Sequence, residues 1–386
     1  MSEHPGVYVQ PLPDPKTGSG TGASLVAFVG RTQAGAAGSA TMVYDLAGYV
    51  DKLGPVSASL PLSLAARDFF DNGGFEAIVF SIGDPATPLT EAAWLAAVNG
   101  LGADPGFNVL ALTPDVLGED IPASVTEAAA TRCAALGAMA ILGPLAAWQT
   151  AFEADNLTSV SADDLGPLSL TSRQSAAVYF PNLVVPDPLT AAPLTVSPVG
   201  AVAGVWVSTD TARGIWTAPA GVQAGLNGVL ALAAQLNDAQ NQALAGGGIN
   251  AVRTFPNYGN VLWGAHTLAG VAGSVDPYRY IQVRRTVTYI EQSLRQSLNW
   301  VVFQSSHPAL WALIAGEVGS FLDSLWQAGA LVGSSSSSAY GVICDATNNT
   351  PDDILNGVVN VAIELALLAP AEFLVIELQF VTASPS

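Results

Sequence analysis

Val109-Leu-Ala-Leu112, Ser124-Val-Thr-Glu-Ala-Ala-Ala-Thr-Arg-Cys-Ala-Ala-Leu136 and Ala138-Met-Ala-Ile-Leu142 follow one another closely along the chain. The outer two runs have strand length and no polar alternation, which is the pattern of strands covered on both faces. The middle run is rich in alanine and closes on Gly137, a good helix with a glycine stop. Strand, helix and strand in that order make two parallel neighbours joined by a crossover.

The same pattern extends both ways from this unit. Upstream it predicts strands at Leu25 to Val29 and Ala77 to Phe80, with helices near Leu60 to Phe70 and Thr90 to Val98. Downstream it predicts a helix at Leu145 to Ala154 and a strand at Ala177 to Phe180. The Pro-rich residues 181 to 198 read as a long surface connection, and Val222 to Leu244 as a strong helix ending at Gly246-Gly-Gly248. Ile249 to Phe255 resumes the strand pattern. The fold class expected for residues 23–256 is therefore α/β, a mainly parallel sheet wrapped by helices.

Beyond Pro256 a smaller α+β domain, residues 257–386, is expected. It has helices at Tyr278 to Asn299 and Pro308 to Gly329, a loop at Ser334 to Ser338, and strands near Tyr340 to Cys344, Val358 to Leu368 and Glu372 to Thr382. At the other end, Gly6-Val-Tyr-Val-Gln10 reads as a short strand. The stretch from Pro11 to Gly22 has linker composition, so residues 1–22 form an arm and linker. Both ends thus carry extended strand arms.

Composition bounds the function. The 386 residues include 12 Lys and Arg against 31 Asp and Glu, a net charge of -19. A folded chain of this mass exposes roughly 14,000 Å², about one charge per 330 Å², which is sparse for a surface facing water. Something other than water is expected to cover much of it. The acidic balance argues against nucleic acid and anionic membrane as partners. No apolar run long enough for membrane insertion is free of acids, and the start of the chain has no export-signal pattern. Cys133 and Cys344 lie far from any metal-spaced neighbour and read as reduced, buried thiols of a cytoplasmic protein.

Tests for chemistry come out negative. Gly30-Arg-Thr-Gln-Ala-Gly35 imitates the opening of a phosphate loop, but Ala36 and Ala37 stand where its Lys and Ser or Thr belong, so a turn is the better reading. The three histidines are His4, His266 and His307, and no GxSxG is present. His307 precedes Pro308 at a helix start, where an end-of-helix role fits, and His266 reads as a packed structural residue. Asp163-Asp164 and Asp352-Asp353 read as helix caps. No catalytic residue, metal site or cofactor is assigned.

One charge feature stands out. Arg279, Arg284, Arg285 and Arg295 fall on a single predicted helix in an otherwise acidic chain. Either the helix's own carboxylates, such as Glu291, satisfy them, or Arg279, Arg284 and Arg285 make charge contacts between subunits. The helix after Pro308 carries an apolar stripe at Leu310, Ile314, Val318, Phe321 and Leu325. Its opposite face shows Glu317, Ser320, Asp323, Ser324 and Gln327, a solvated or a docking face.

Gly214-Ile-Trp-Thr-Ala-Pro-Ala-Gly221, Gly248-Ile-Asn-Ala-Val-Arg-Thr-Phe-Pro256, Val261-Leu-Trp-Gly-Ala-His-Thr-Leu268 and Tyr278-Arg-Tyr-Ile-Gln-Val-Arg-Arg285 closely resemble contractile tail sheath proteins. These are the sheaths of bacteriophages, R-type pyocins and extracellular contractile injection systems. Pro5-Gly-Val-Tyr-Val9, Ala27-Phe-Val-Gly30 and Pro370-Ala-Glu-Phe373 fit the same family, so the resemblance spans nearly the whole chain. His266 departs from it, because such sheaths commonly carry Arg there.

The resemblance implies a subtilisin-like fold for the α/β domain, without its enzymatic use. It also implies stacked six-subunit rings around an inner tube protein, assembled in the bacterial cytoplasm with baseplate and terminal cap proteins as further partners. Strands exchanged between subunits would include Val7, Tyr8 and Val9 at one end and Phe373, Val375, Glu377 and Gln379 at the other. Glu317, Ser320, Asp323 and Gln327 are the expected tube-facing residues. Two other readings stand beside this one: an α/β hydrolase-like enzyme working through His266, and a non-contractile tube or shell protein.

Overall fold

The computed structural model describes residues 25–102, 106–368 and, for the backbone alone, 373–381. The expected strand at Val7, Tyr8 and Val9 and the linker after it lie outside the described residues. Two compact units are present, dividing at Arg285 and Thr286.

The first unit holds eleven strands among its described residues: β1 Val26–Gly30, β2 Ala40–Val43, β3 Ala77–Ser81, β4 Val109–Leu112, β5 Met139–Leu142, β6 Ala176–Phe180, β7 Leu183–Pro186, β8 Pro193–Val196, β9 Ala231–Leu232, β10 Asn250–Phe255 and β11 Gly259–Trp263. Eight of them form one sheet in the order β11-β10-β6-β5-β4-β1-β3-β2. The six central strands are parallel, and β2 and β11 close the two edges antiparallel. The helices are α1 Leu46–Leu53, α2 Pro61–Asp71, α3 Glu91–Gly100, α4 Ala123–Leu136, α5 Ala146–Glu153, α6 Leu170–Gln174, α7 Val199–Arg213 and α8 Asp238–Gly246.

Successive residues of each central strand enter different cores, as a two-residue side-chain period requires. Val26, Phe28, Val109, Ala111, Met139, Ile141, Ala177 and Tyr179 pack on one face with α1, α2 and α7. Ala27, Val29, Leu110, Leu112, Ala140, Leu142, Ala176 and Val178 pack on the other with α3, α4 and α5. The unbroken apolar runs in the sequence are therefore strands roofed on both sides.

Three expectations are corrected here. The unit runs past residue 256 to Arg285, because β11 hairpins onto β10 and the Asn250 side chain bonds both the N–H and the carbonyl of His266. Val222 to Leu244 is no continuous helix. Gly225 and Gly228 interrupt it, and its first part spends its backbone on the edge of β11 through Gly221, Ala224 and Leu226. The helix starts only at Asp238, where Asn237 and Gln240 form a reciprocal cap. Residues 181–198 hold the β7–β8 hairpin instead of a bare surface connection.

α7 was not legible in the sequence. It packs on α2 so closely that a Cβ on Gly200 would lie 2.2 Å from the Ala65 carbonyl oxygen, and one on Gly204 2.4 Å from that of Phe69. On α2, Asp68 accepts two bonds from the Arg67 guanidinium at 3.0 and 2.9 Å, while its other oxygen is buried without a partner. Burial outweighs the ion pair and pushes the Asp68 carboxyl up to about 6. An acid whose folded value is raised loses stability as pH climbs from its unfolded value, near 4, through about 6. Asp68→Asn is therefore expected to stabilise the protein at pH 8 by about 1–3 kcal/mol and to change little at pH 4.5, read from urea midpoints at both values.

The second unit contains helix α9 from Thr286 onward (α9 spans Ile281–Ser297), α10 Pro308–Gln327, the short α11 Ser336–Ala339 and α12 Pro351–Leu355. Its strands are β12 Tyr340–Ile343, β13 Val358–Ala366 and β14 Phe373–Val381, in one antiparallel sheet of that order.

Candidate assembly surfaces

The smaller sheet has β13 at its centre. Val359, Val361, Ile363 and Leu365 are buried on one face, alternating with the half-buried Asn360 and Ala362 and the exposed Glu364 on the other. Asn349 fixes the β12–β13 connection. It is buried, donates to the carbonyls of Asp345 and Asn360, and accepts from the Asn360 N–H at 2.6 Å. β14 pairs with β13 along its whole length, placing Phe373 opposite Ala366, Val375 opposite Glu364, Glu377 opposite Ala362 and Gln379 opposite Asn360. The C-terminal strand thus completes a sheet of its own chain. Among the described residues its outer edge and that of β12 have no strand partner, and such edges accept an added strand.

α10 begins as the sequence suggests. His307 caps it, its Nδ1 accepting from the Leu310 N–H at 3.2 Å, with Pro308 in the first turn. The apolar stripe Leu310, Ile314, Val318, Phe321 and Leu325 is buried throughout. On the opposite face the four expected docking residues divide. Ser320 and Gln327 are exposed, whereas Glu317 and Asp323 are half-buried. Glu317 accepts from the Trp300 indole at 2.9 Å, and Asp323 accepts from Gln327 at 2.6 Å.

The arginine cluster also divides. Arg285 is no surface charge: it is 6 % exposed, makes a two-pronged ion pair with the buried Asp210, and lies 5.0 Å over the Trp206 ring. That places it in the core of its own subunit, so its expected contact with another subunit is withdrawn. The signal was available, since Arg285 follows Ile281 by one helical turn on the side that Thr288 continues inward. Arg279 and Arg284 are half-buried, each over a tyrosine ring, Tyr280 at 5.1 Å and Tyr278 at 4.8 Å.

The positions with the greatest potential for chemistry are occupied by structure. Arg31 leaves the end of β1 where the strand order reverses, the usual ligand crevice of such sheets. Its guanidinium fills that position, bonding the Asp115 carboxylate and carbonyl at 2.7 and 3.0 Å and the Pro85 carbonyl at 2.9 Å. His266 stacks on Tyr280 at 5.4 Å, and its buried Nδ1 has no hydrogen-bond partner. Burial first, and then Arg279, hold its pKa below the usual histidine value. The nitrogen that a hydrolase relay would hold through a carboxylate is thus unbonded here. Among the described residues no group of three His, Cys, Asp or Glu could hold a metal, and no helix is long and apolar enough to cross a membrane. Cys133 and Cys344 are buried free thiols, both pushed upward by burial, Cys344 to about 11.

The described residues thus form a mixed α/β unit and a small antiparallel sheet whose outer edges have no strand partner, and comparisons with known proteins bear on this architecture. Residues 274–381 match the phage tail sheath C-terminal domain family. A tail sheath protein of Vibrio phage KVP40 is 29% identical over 151 residues, 39% of this chain and 21% of that protein. The matched stretch spans about a fifth of that relative's length. The contracted helical sheath of the anti-feeding prophage is 26% identical with a TM-score of 0.72, covering 97% of this chain and 99% of that one. A chain of the six-fold symmetrised baseplate structure of the same particle gives the same identity and TM-score, with 97% and 98% covered. The chain is thus similar to contractile tail sheath proteins, and residues 274–381 match the phage tail sheath C-terminal domain family.

Proposed function

We propose that this chain is the structural sheath subunit of a contractile phage tail or injection-system particle. It polymerises as stacked six-subunit rings around an inner tube, anchored on a baseplate and closed by a terminal cap protein, and contracts to drive the tube through a target envelope. The observation that carries this reading is the end-to-end similarity to a contracted helical sheath, with both chains covered almost completely.

The open edges of the β12-β13-β14 sheet support it. Val7, Tyr8 and Val9 are the donor residues at one end of the chain, and Phe373, Val375, Glu377 and Gln379 those of a terminal strand that exchanges its in-chain place for a neighbour's. Contacts of this head-to-tail kind propagate into rings and helices. Five or so residues per arm supply a few net hydrogen bonds of about 1 kcal/mol each, enough to keep subunits linked while rigid bodies slide. Ser320 and Gln327, with Glu317 and Asp323 beside them, form the tube-facing surface, and Arg279 and Arg284 carry the charge contacts between subunits. The work of contraction comes from a metastable extended lattice relaxing into one with more buried contact.

Negative-stain electron microscopy of the purified full chain tests this. Hollow, cogwheel-like tubes are expected, and removal of residues 1–20 should abolish them without moving the monomer's thermal unfolding. A persistent monodisperse monomer under assembly conditions, or tubes unchanged by the truncation, would overturn the proposal.

A further inference from the structure

We infer that the first unit carries a binding site for a small organic cation, an ammonium group on an apolar body, at the carboxyl ends of β4, β5 and β6. A cavity of about 310 Å³ opens there, built by the segments that follow those three strands together with α2 and β8. This is the side of a parallel sheet on which α/β folds hold ligands, and the volume lies at the small end of the range for ligand sites. The site is separate from the sheath reading and does not depend on it.

Its lining is chemically selective. Pro61, Pro114, Pro144 and Leu194 give apolar walls that suit a compact hydrocarbon body. Three neutral polar side chains face them. Thr113, 3 % exposed, lines the cavity with its hydroxyl-bearing side chain. The Ser197 hydroxyl oxygen is buried and without a partner. Asn182 adds an amide from the segment after β6. Buried hydroxyls almost always find a partner within the protein, so the unpartnered Ser197 oxygen at this cavity marks a place prepared for something else.

The sign of the ligand follows from the rim. Glu119 and Asp120 are the only charged residues lining the cavity, both exposed, and Asp120 is held by accepting from the Ala146 N–H at 2.8 Å. No Lys or Arg lines it. An anion would meet two carboxylates with nothing to neutralise it, whereas an ammonium meets them as charge-assisted acceptors, with the Thr113 and Ser197 oxygens as further acceptors inside.

Ligand-observed saturation-transfer NMR on the full chain, with three probes sharing one apolar body, tests the assignment. 2-Phenylethylammonium is expected to bind in the millimolar range, about fivefold tighter than 2-phenylethanol, while phenylacetate shows no transfer. Thr113→Val preserves shape and removes only the hydroxyl, and Glu119→Gln alters an exposed side chain. Each should weaken the ammonium several-fold with thermal unfolding unchanged. Equal transfer to all three probes, no transfer to the ammonium, or ammonium binding untouched by Thr113→Val in a folded protein would each overturn the site.

Discussion

Gly200→Ala is expected to destabilise the first unit by about 3 kcal/mol or more, although the same exchange in an ordinary helix gains about 1 kcal/mol. The sign reverses because the added methyl has nowhere to go. It would sit 2.2 Å from the Ala65 oxygen and 2.6 Å from the Ala65 Cα, backbone atoms that no side-chain rotation can clear. The two helices must separate, and with them the packing of Val199, Val202, Trp206 and Leu62 in the core beneath. Gly204, one turn on and 2.4 Å from the Phe69 oxygen by the same construction, blocks a compensating slide along the helix axis. Gly316 on α10 is the internal control. A methyl there meets nothing within 4 Å, so Gly316→Ala should gain up to about 1 kcal/mol. Urea midpoints of the two variants and the parent protein decide the matter. A Gly200→Ala protein as stable as the parent would mean that the α2–α7 contact is looser than this geometry.

The helix that carries this effect is also the one the sequence conceals. Val199-Gly-Ala-Val-Ala-Gly-Val-Trp-Val207 is buried all round, so it shows no polar face from which a helical period could be read. The central strands were legible for the opposite reason. Four or five apolar residues between glycine and proline signals are too short for a buried helix and fit a strand covered on both faces. The false helix over residues 222–244 followed from composition, since its alanines and leucines favour a helix, but Ala224, Leu232, Ala234 and Leu236 are drawn to cores on opposite faces of the sheet. On α10 the period is clean, and the stripe was read correctly. What sequence spacing could not supply was distance. Asp210 lies 75 positions from Arg285, and Thr113 and Ser197 line one cavity only because the segments after β4 and β8 converge.

Arg285→Met is expected to cost about 3–5 kcal/mol, more than any exposed arginine of the chain would. The guanidinium donates through Nη1 to Asp210 Oδ1 at 2.8 Å and through Nη2 to Oδ2, with both side chains almost fully enclosed, 6 % and 3 % exposed. Removing the cation leaves a carboxylate sealed in the core, and that stranded charge, more than the lost attraction, sets the size of the effect. The cation also lies 5.0 Å over the Trp206 ring, whose indole donates to the Tyr179 hydroxyl at 3.1 Å. The pair therefore joins the first turn of α9 to α7 and, through Tyr179, to β6. Arg285→Lys keeps the charge but loses the fork that matches both oxygens, so it should fall between the parent and Arg285→Met. Asp210→Leu combined with Arg285→Met removes both charges together and should recover most of the loss, because an apolar pair of similar volume often matches a buried ion pair. A double-mutant cycle on urea midpoints would then show a coupling of about 2 kcal/mol or more. If the two single losses simply added, Asp210 and Arg285 would be independent residues, and the core at the end of the first unit would owe its cohesion to apolar packing alone.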